Sequence, residues 1–575
     1  MTKNNYPEID DSEFYEDVNH IYKKYAIPND KKTLKQFCNR GKFKLQLPQK
    51  FVGEFINPKT PYKGLLLFHR IGAGKTCSAI NIAEKWKRKK RIMIVLPAAL
   101  IGNFKDELRS ECPGDEYLTK QERKIMKKLS PLDTKYKKIV KKSEDRIKKY
   151  YTILSYHKFV ILAKKDKIRL NNTLLIIDEV QNMISETGSF YRYLFNSINK
   201  APSDLRLVLL SATPMFDKPV EIALTMNLLR ISETFPTGTA FNDMFLSSRK
   251  NRLGNITYRA KNLRKFKEMT KGYISYYRGA PPYTFPSMEF KIVKCKMEDF
   301  QYKSYLTTLS TDEHYFRGSF RHGDILSLPN NFFIGERIIS NVAFPNRSIN
   351  LTGFNSFRGN ILYMKNLKEY SIKFYRMLRR IKRSEGPVFV YSNFKEFGGI
   401  KSFVKVLRKH GYRNYKNSGS GEKRYAVWSG DERHEMKEEI KRVFNQKSNQ
   451  YGGEIEILLG SPSIKEGVSL LRVEQVHIME PYWNMARMDQ VIGRAIRFCS
   501  HKDVPLRRQN VTVYLYLATS PKGEETVDQY IWKLAKEKYK LISKFEYAMK
   551  QSAVDCEINK NANVHRGEDD IECVD

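Results

Sequence analysis

Short, unbroken apolar runs recur along the chain, separated by stretches that repeat their apolar residues at helical spacing. Leu65–Phe68, Arg91-Ile-Met-Ile-Val-Leu-Pro97, Thr173-Leu-Leu-Ile-Ile177 and Leu205-Arg-Leu-Val-Leu-Leu210 read as strands buried on both faces, the signature of a parallel sheet. The first is followed by Ser78–Trp86, whose Ala79, Ile82, Ala83 and Trp86 share one helical face. The rhythm returns in the second half with Pro387–Tyr391 and Ile455–Leu459, while Glu289–Lys296 alternates like a strand crossing between lobes. The pattern predicts an α/β protein with two parallel-sheet lobes. The expected boundaries are a tail with a short helix at 1–40, a first lobe at 41–225 and a helical connector at 226–286. A second lobe follows at 287–548, then an acidic, disordered tail at 549–575. Two insertions interrupt the lobes: a pair of basic helices at 120–149 and an irregular polar stretch at about 300–358.

The chemistry-bearing residues fall where these strands end. After the first run comes Gly72-Ala73-Gly74-Lys75-Thr76 and then the helix. A strand, a glycine-rich loop closed by Gly-Lys-Thr and a helix form a phosphate-binding loop. Backbone amides hold the polyphosphate, Lys75 reaches its outer phosphates, and Thr76 offers a hydroxyl to Mg²⁺. His69 stands at the first motif position, where glycine is usual. The third run ends in Asp178-Glu179, with Asp178 suited to the Mg²⁺ shell and Glu179 to orienting or deprotonating a water. The fourth ends in Ser211-Ala-Thr213, two hydroxyls placed to sense the γ-phosphate. Upstream, Gln49 is a candidate for the adenine edge that would favour ATP, and Gln46 is an equally placed competitor. Pro97 opens a loop suited to backbone contacts with a nucleic-acid strand. Late in the chain, Gln490-Val-Ile-Gly-Arg494-Ala-Ile-Arg497 puts two arginines three apart on a helix, able to fork onto phosphate oxygens and complete an ATP site when lobes close.

Composition sharpens this picture. The formal net charge of +40 favours polyanionic partners, nucleic acid first. The surplus is uneven: residues 120–149 hold 13 Lys/Arg against 4 Asp/Glu, and Arg376–Arg383 (RMLRRIKR) is a basic helix end. The N-terminus is acidic and lacks a signal pattern, and no run of 18 apolar residues occurs, so a soluble, intracellular protein without membrane contact is expected. The seven cysteines are scattered, which suggests free thiols in a reducing compartment and neither a disulfide framework nor a zinc site.

In order, these elements resemble superfamily 2 helicases and translocases with two RecA-like lobes. The segments LLLFHRIGAGKT, IIDEVQN, LLSATPMFDKPVEI, GYISYYRG, FVYSNFKEFGG, KEGVSL and EPYWNMARMDQVIGRAIRFCSH are similar to the branch found in nucleocytoplasmic large DNA viruses. The resemblance extends to the ATPase subunit of the poxvirus early transcription factor and to poxvirus nucleoside triphosphate phosphohydrolase I. It implies a DNA-dependent ATPase using ATP and Mg²⁺ in transcription, at initiation or at termination and transcript release. A viral RNA polymerase or transcription-factor subunit would be its partner, and its locations the virion and host cytoplasm. It further implies coupling by Ser211 and Thr213, γ-phosphate sensing by Gln490, Arg494 and Arg497, and a nucleic-acid-facing loop at Gly467. An RNA helicase and a catalytically inert binding subunit are the competing readings.

Overall fold

A computed structural model describes residues 6–28, 34–38, 43–70, 72–131, 133–185, 188–250, 256–310, 315–316, 319–320, 326, 333–465, 468–564 and 570–574. The chain divides into two units: Met1–Arg249 with Tyr258–Pro282 and Lys540–Asp575, and Lys250–Thr257 with Tyr283–Tyr539.

The first unit is built on six parallel strands: β1 Gly64–His69, β2 Arg91–Leu96, β3 Tyr151–Ser155, β4 Thr173–Ile177, β5 Arg206–Ser211 and β6 Ile274–Tyr277. Their order is β3-β2-β4-β5-β1-β6. Every residue of β1 and β4 is buried, as continuous apolar runs demand when helices cover both faces. Parallel pairing sends the loops after β1, β4 and β5 out of the same carboxyl edge, with Phe68 opposite Ser211 and Ile177 opposite Leu209. The basic insertion folds as helices Lys120–Met126 and Thr134–Lys148, joined by Arg146 donating to both oxygens of Glu122 at 2.7 and 3.0 Å.

Several expectations need correction here. The segment taken as a helical connector contains β6, the sixth strand of this sheet. The N-terminal segment carries a short helix, as expected, and this helix, Phe14–Tyr22, buries Phe14, Tyr15, Val18 and Tyr22 in the core. The described part of the C-terminal segment is not disordered. Val554 N–H donates to Ile274 O at 2.8 Å, Asn559 Nδ2 donates to Tyr276 O at 3.1 Å, and Val554 and Ile558 are buried. This segment covers the outer edge of β6, which would otherwise present unpaired backbone groups. Its acidic composition misled because the packing residues are few and interspersed. The cysteine expectation fails as well. Cys77 is disulfide-bonded to Cys112, 35 residues away, and Cys556 to Cys573, 17 residues away. Such pairs are set by tertiary proximity, which linear spacing does not report.

The second unit carries seven parallel strands: β7 Ser287–Lys296, β8 Val388–Tyr391, β9 Arg413–Asn414, β10 Arg424–Trp428, β11 Ile457–Gly460, β12 Gln475–Ile478 and β13 Asn510–Thr519. The order is β9-β10-β11-β8-β12-β13-β7. The strand expected to cross between lobes, β7, is an edge strand paired with β13 from Ser287–Asn510 to Lys296–Thr519. The stretch read as an irregular insertion contributes helices Asp299–Leu309 and Ile334–Asn341, and Tyr302, Tyr305, Ile339 and Val342 join the core. Helix Ile372–Ile381 lies on the same face, burying Phe374, Met377, Leu378 and Ile381. Under it Lys373 Nζ meets Asp528 Oδ2 at 2.6 Å with both side chains fully buried, and also donates to Asn341 Oδ1 at 2.9 Å.

Asp555 is the anchor of the C-terminal segment in the first unit. It accepts from Ser275 Oγ at 2.6 Å, Tyr276 N at 2.8 Å and Asn559 Nδ2 at 2.8 Å. Asp555→Ala leaves buried donors unpaired and is expected to cost about 1–3 kcal/mol, read as a lowered denaturant midpoint with an unchanged slope.

Candidate functional site

The phosphate-binding loop is formed by the backbone before any side chain contributes. Gly72 and Gly74 sit at φ 84° and 76°, the left-handed region, and Gly74 caps helix Lys75–Trp86. A Cβ on Gly74 would come within 2.5 Å of Gln49 Nε2. Ala73 is buried, with its N–H on Arg70 O at 3.1 Å. Lys75 and Thr76 open the helix, where free amides and the helix dipole favour an anion.

The structure separates the two glutamines. Gln49 is buried in helix Leu47–Phe55, accepts from Gln46 N at 2.8 Å through Oε1 and donates from Nε2 to Gly74 O at 3.2 Å. Gln46 instead accepts from Tyr277 OH at 3.0 Å. Gln49 therefore touches the loop directly.

The acid pair leaves β4 as that strand ends. Asp178 is buried, its N–H on Val95 O at 2.9 Å, and its Oδ1 accepts from Glu179 N at 2.9 Å. Glu179 adopts φ 50° and ψ 46°, a costly conformation for a side chain with a Cβ. Tyr156 OH secures it by donating to the carbonyls of Asp178 and Glu179. The turn aims Glu179 at Lys75, whose Nζ lies 3.4 Å from Glu179 Oε1.

From there a line of polar contacts runs to β5. Gln181 Nε2 donates to Glu179 Oε2 at 2.6 Å, Ser211 Oγ donates to Gln181 Oε1 at 2.7 Å, and Thr213 N donates to Ser211 Oγ at 3.1 Å. Motif reading assigned Gln181 no role. The signal available was its place two residues beyond Glu179, which a 3₁₀ turn over Val180–Asn182 converts into side-chain contact. Tyr156 gave no comparable signal, since it comes from the helix after β3.

His69 has a structural account. It is fully buried, with Nε2 3.0 Å from Ser275 Oγ, which in turn donates to Asp555. Burial, and then the charge of Lys75, push His69 down to about 3, so the ring is neutral. Burial pushes Asp555 up to about 7 against the hydrogen bonds it accepts.

In the second unit Asn484 Oδ1 accepts from Arg487 N at 3.0 Å and starts helix Met485–Ala495, which bears Gln490 and Arg494. Arg494 is mostly buried, its Nε on Gln490 O at 3.0 Å and its carbonyl accepting from Leu470 N. Arg497 Nη2 donates to Val468 O at 3.3 Å. The helix is thus stitched to the segment after Gly467, while Gly467 itself lies outside the described residues. Pro97 ends β2 at the carboxyl edge of the first sheet, its carbonyl accepting from Leu100 N. Sequence reading also passed over Glu480, a buried carboxylate just beyond β12. It accepts from Ser392, Asn393 and Asn341.

Thr76 at the start of its helix and buried Asp178 at the end of β4 offer oxygen donors of the hard kind that Mg²⁺ takes. This donor set fits the ion.

Comparison with known proteins agrees with this geometry. A family model described as the SNF2-related domain matches residues 23–341, and the helicase conserved C-terminal domain matches residues 371–499. A protein of Acanthamoeba polyphaga mimivirus, provisionally named ATP-dependent RNA helicase R563, is 54% identical over 568 residues, covering 99% of both chains. A second mimivirus protein, provisionally named ATP-dependent RNA helicase L377, is 27% identical over 95% of this chain and 58% of its own length. The termination factor NPH-I homolog of African swine fever virus is 26% identical over 86% of this chain and 77% of its own.

The His69 environment carries a signed expectation. Its folded pKa lies below the ordinary value of 6.5, so the folded chain binds fewer protons than the unfolded chain between about 3 and 6.5. The stability difference between the native chain and His69→Gln should therefore be largest near pH 7. It should shrink as the pH falls toward 4, measured by denaturant unfolding across that range.

Proposed function

The chain belongs to the SNF2-related helicases, nucleic-acid-dependent ATPases of superfamily 2, and from that membership we propose that it uses ATP hydrolysis to move along DNA during viral transcription. The observation that carries the catalytic part is the unbroken contact line Lys75–Glu179–Gln181–Ser211. It links the residue that grips the outer phosphates to the one that prepares the water and then to a neighbouring strand.

The chemistry follows from the charges. Without nucleotide, Lys75 and Glu179 neutralise each other. Phosphate oxygens arriving at the loop compete for the Lys75 ammonium and release Glu179, which then orients the attacking water and accepts its proton. Bound Mg²⁺, held by Thr76 and Asp178, would neutralise charge building on the β- and γ-phosphates. Gln181 keeps Glu179 aimed through its second oxygen, and its carbonyl passes any displacement to Ser211 and the Thr213 loop. Gln49 positions the adenine side of the site, and Gln490, Arg494 and Arg497 contact the γ-phosphate. Pro97 and Gly467 mark loops that follow the nucleic-acid backbone.

The role in transcription, at initiation or at termination, draws on the resemblance to viral transcription ATPases and on the relative named as a termination factor. A viral polymerase or transcription-factor subunit is the proposed partner, and virion and host cytoplasm the proposed locations. Among the described residues no helix is long and apolar enough to cross a membrane. An RNA helicase is the second reading, favoured by the names of the two mimivirus relatives.

Two measurements test this. Lys75→Ala and Glu179→Gln should each reduce nucleic-acid-stimulated ATP turnover by about 10²–10⁴-fold with the thermal unfolding midpoint near native. Gln181→Ala should lose most of the stimulation while keeping ATP affinity. Native turnover in either of the first two variants refutes the assignment. Turnover with single-stranded DNA, duplex DNA and RNA at one stated salt concentration then decides the polymer. Stimulation by RNA alone overturns the DNA reading in favour of the helicase acting on RNA.

A further inference from the structure

The basic run at Arg376–Arg383 has no part in the ATP chemistry. In the second unit it lines a cleft of about 630 Å³ between helix Ile372–Ile381 and the edge strand β7. Six cationic side chains face it: Lys291, Lys368, Arg376, Arg379, Arg380 and Arg383. Glu298, just past the carboxyl end of β7, is its single lining carboxylate.

Arg376, Arg379 and Arg380 follow positions i, i+3 and i+4 on one side of the helix, and Arg383 follows in the turn past its C-cap, Lys382. Like charges at this spacing repel and weaken the helix. A solvated helix would be expected to relieve this with interspersed acids, as helix His434–Phe444 does through its Lys441–Glu438 and Arg442–Glu439 pairs. Here none of the four arginines has a carboxylate partner among the described residues. Arg376 donates to Lys294 O at 2.9 Å, Arg380 donates to Arg376 O at 3.1 Å, and Arg379 donates to Tyr375 OH at 3.4 Å. Two of them lie over aromatic rings, Arg379 5.6 Å from the Tyr375 centroid and Arg380 5.2 Å from that of Tyr514. These contacts orient the guanidinium groups without neutralising them.

Position separates the cleft from the motif loops. Helix Ile372–Ile381 leads directly into β8, so Arg380 and Arg383 lie toward the amino ends of the strands. Asn393 and Ser461 follow the carboxyl ends of β8 and β11, the edge where ligands of open α/β sheets gather. We propose that this cleft is a second nucleic-acid contact, an arginine track that holds a stretch of phosphodiester backbone away from the motif loops. The proposal rests on the reading that the chain acts on nucleic acid. From Arg376 to Arg380 the helix rises about 6 Å, and Arg383 extends the row into the turn beyond its end. Phosphates on one strand of a duplex recur every ~3.4 Å of axis, so two or three fall within reach. Forked, permanently charged donors beside tyrosine rings suit phosphate and base better than they suit the carboxylates of an acidic protein.

The test uses the full chain carrying Arg379→Glu with Arg383→Glu, both exposed positions. A control carries Arg413→Glu with Lys416→Glu, which removes equal charge near β9, the other edge strand of the sheet. DNA and RNA binding are titrated between 50 and 200 mM salt without nucleotide, and ATP turnover is measured without nucleic acid. The cleft variant should bind at least tenfold more weakly at the lowest salt, with a salt slope shallower by about 1.5, and keep its basal turnover. Arg379→Lys with Arg383→Lys should retain the slope. If the reversed variant fails to fold, Arg379→Gln with Arg383→Gln gives the same reading. Native affinity and slope in the cleft variant, or an equal loss in the control, overturn the proposal. So does loss of polyglutamate binding with nucleic-acid binding intact, which would assign the cleft to an acidic protein. If the native chain itself binds no nucleic acid, the functional reading fails first.

Discussion

The carboxyl edge of the first sheet turns on one electrostatic contact: the Lys75 ammonium, at a helix N-terminus, needs a charge to balance it and has a carboxylate within reach. Glu179 fills that need at 3.4 Å. In the proposed reaction the same carboxylate would handle the water once phosphate takes the lysine away, so one pairing would serve as both clamp and trigger. The left-handed turn at Glu179 and the Tyr156 hydroxyl beneath it are the cost of aiming that carboxylate.

Parallel strands make the arrangement possible. With β1, β4 and β5 running the same way, their following loops share one edge and side chains more than a hundred residues apart meet. Gln181 extends the meeting point from β4 to β5, joining Glu179 to Ser211 through two hydrogen bonds. The opposite edge of β1 is tied down differently. His69, Ser275 and Asp555 form a buried chain from the first position of the phosphate loop to the C-terminal segment. Histidine at that position thus anchors β1 to β6, a task glycine could not perform.

The second unit repeats the logic with a different emphasis. Its buried charges, Lys373 with Asp528 and Glu480 with its three amide and hydroxyl donors, hold the carboxyl-edge loops in place. A buried pair of this kind contributes geometry more than stability, because desolvation offsets much of the attraction. The arginines at Arg376–Arg383 are the reverse case: among the described residues none has a carboxylate partner.

Local periodicity determined much about this protein by itself. Runs of four to six apolar residues repeated between helical stretches fit central parallel strands, and a glycine-rich turn after the first of them fits a strand–loop–helix unit, so the α/β class was legible without coordinates. The acid pair and the Ser-Ala-Thr loop were legible for the same reason, since both sit where a strand must stop. Tertiary structure alone decided the rest. It set Gln49 against the glycine-rich loop, brought Gln181 and Tyr156 to Glu179, paired Cys77 with Cys112, and laid a seemingly disordered acidic tail along β6. Each of these joins residues distant in sequence or turns a side chain through a backbone conformation that composition does not encode. Contacts between elements carry no periodic signal; they exist only once the sheet has brought its strands together.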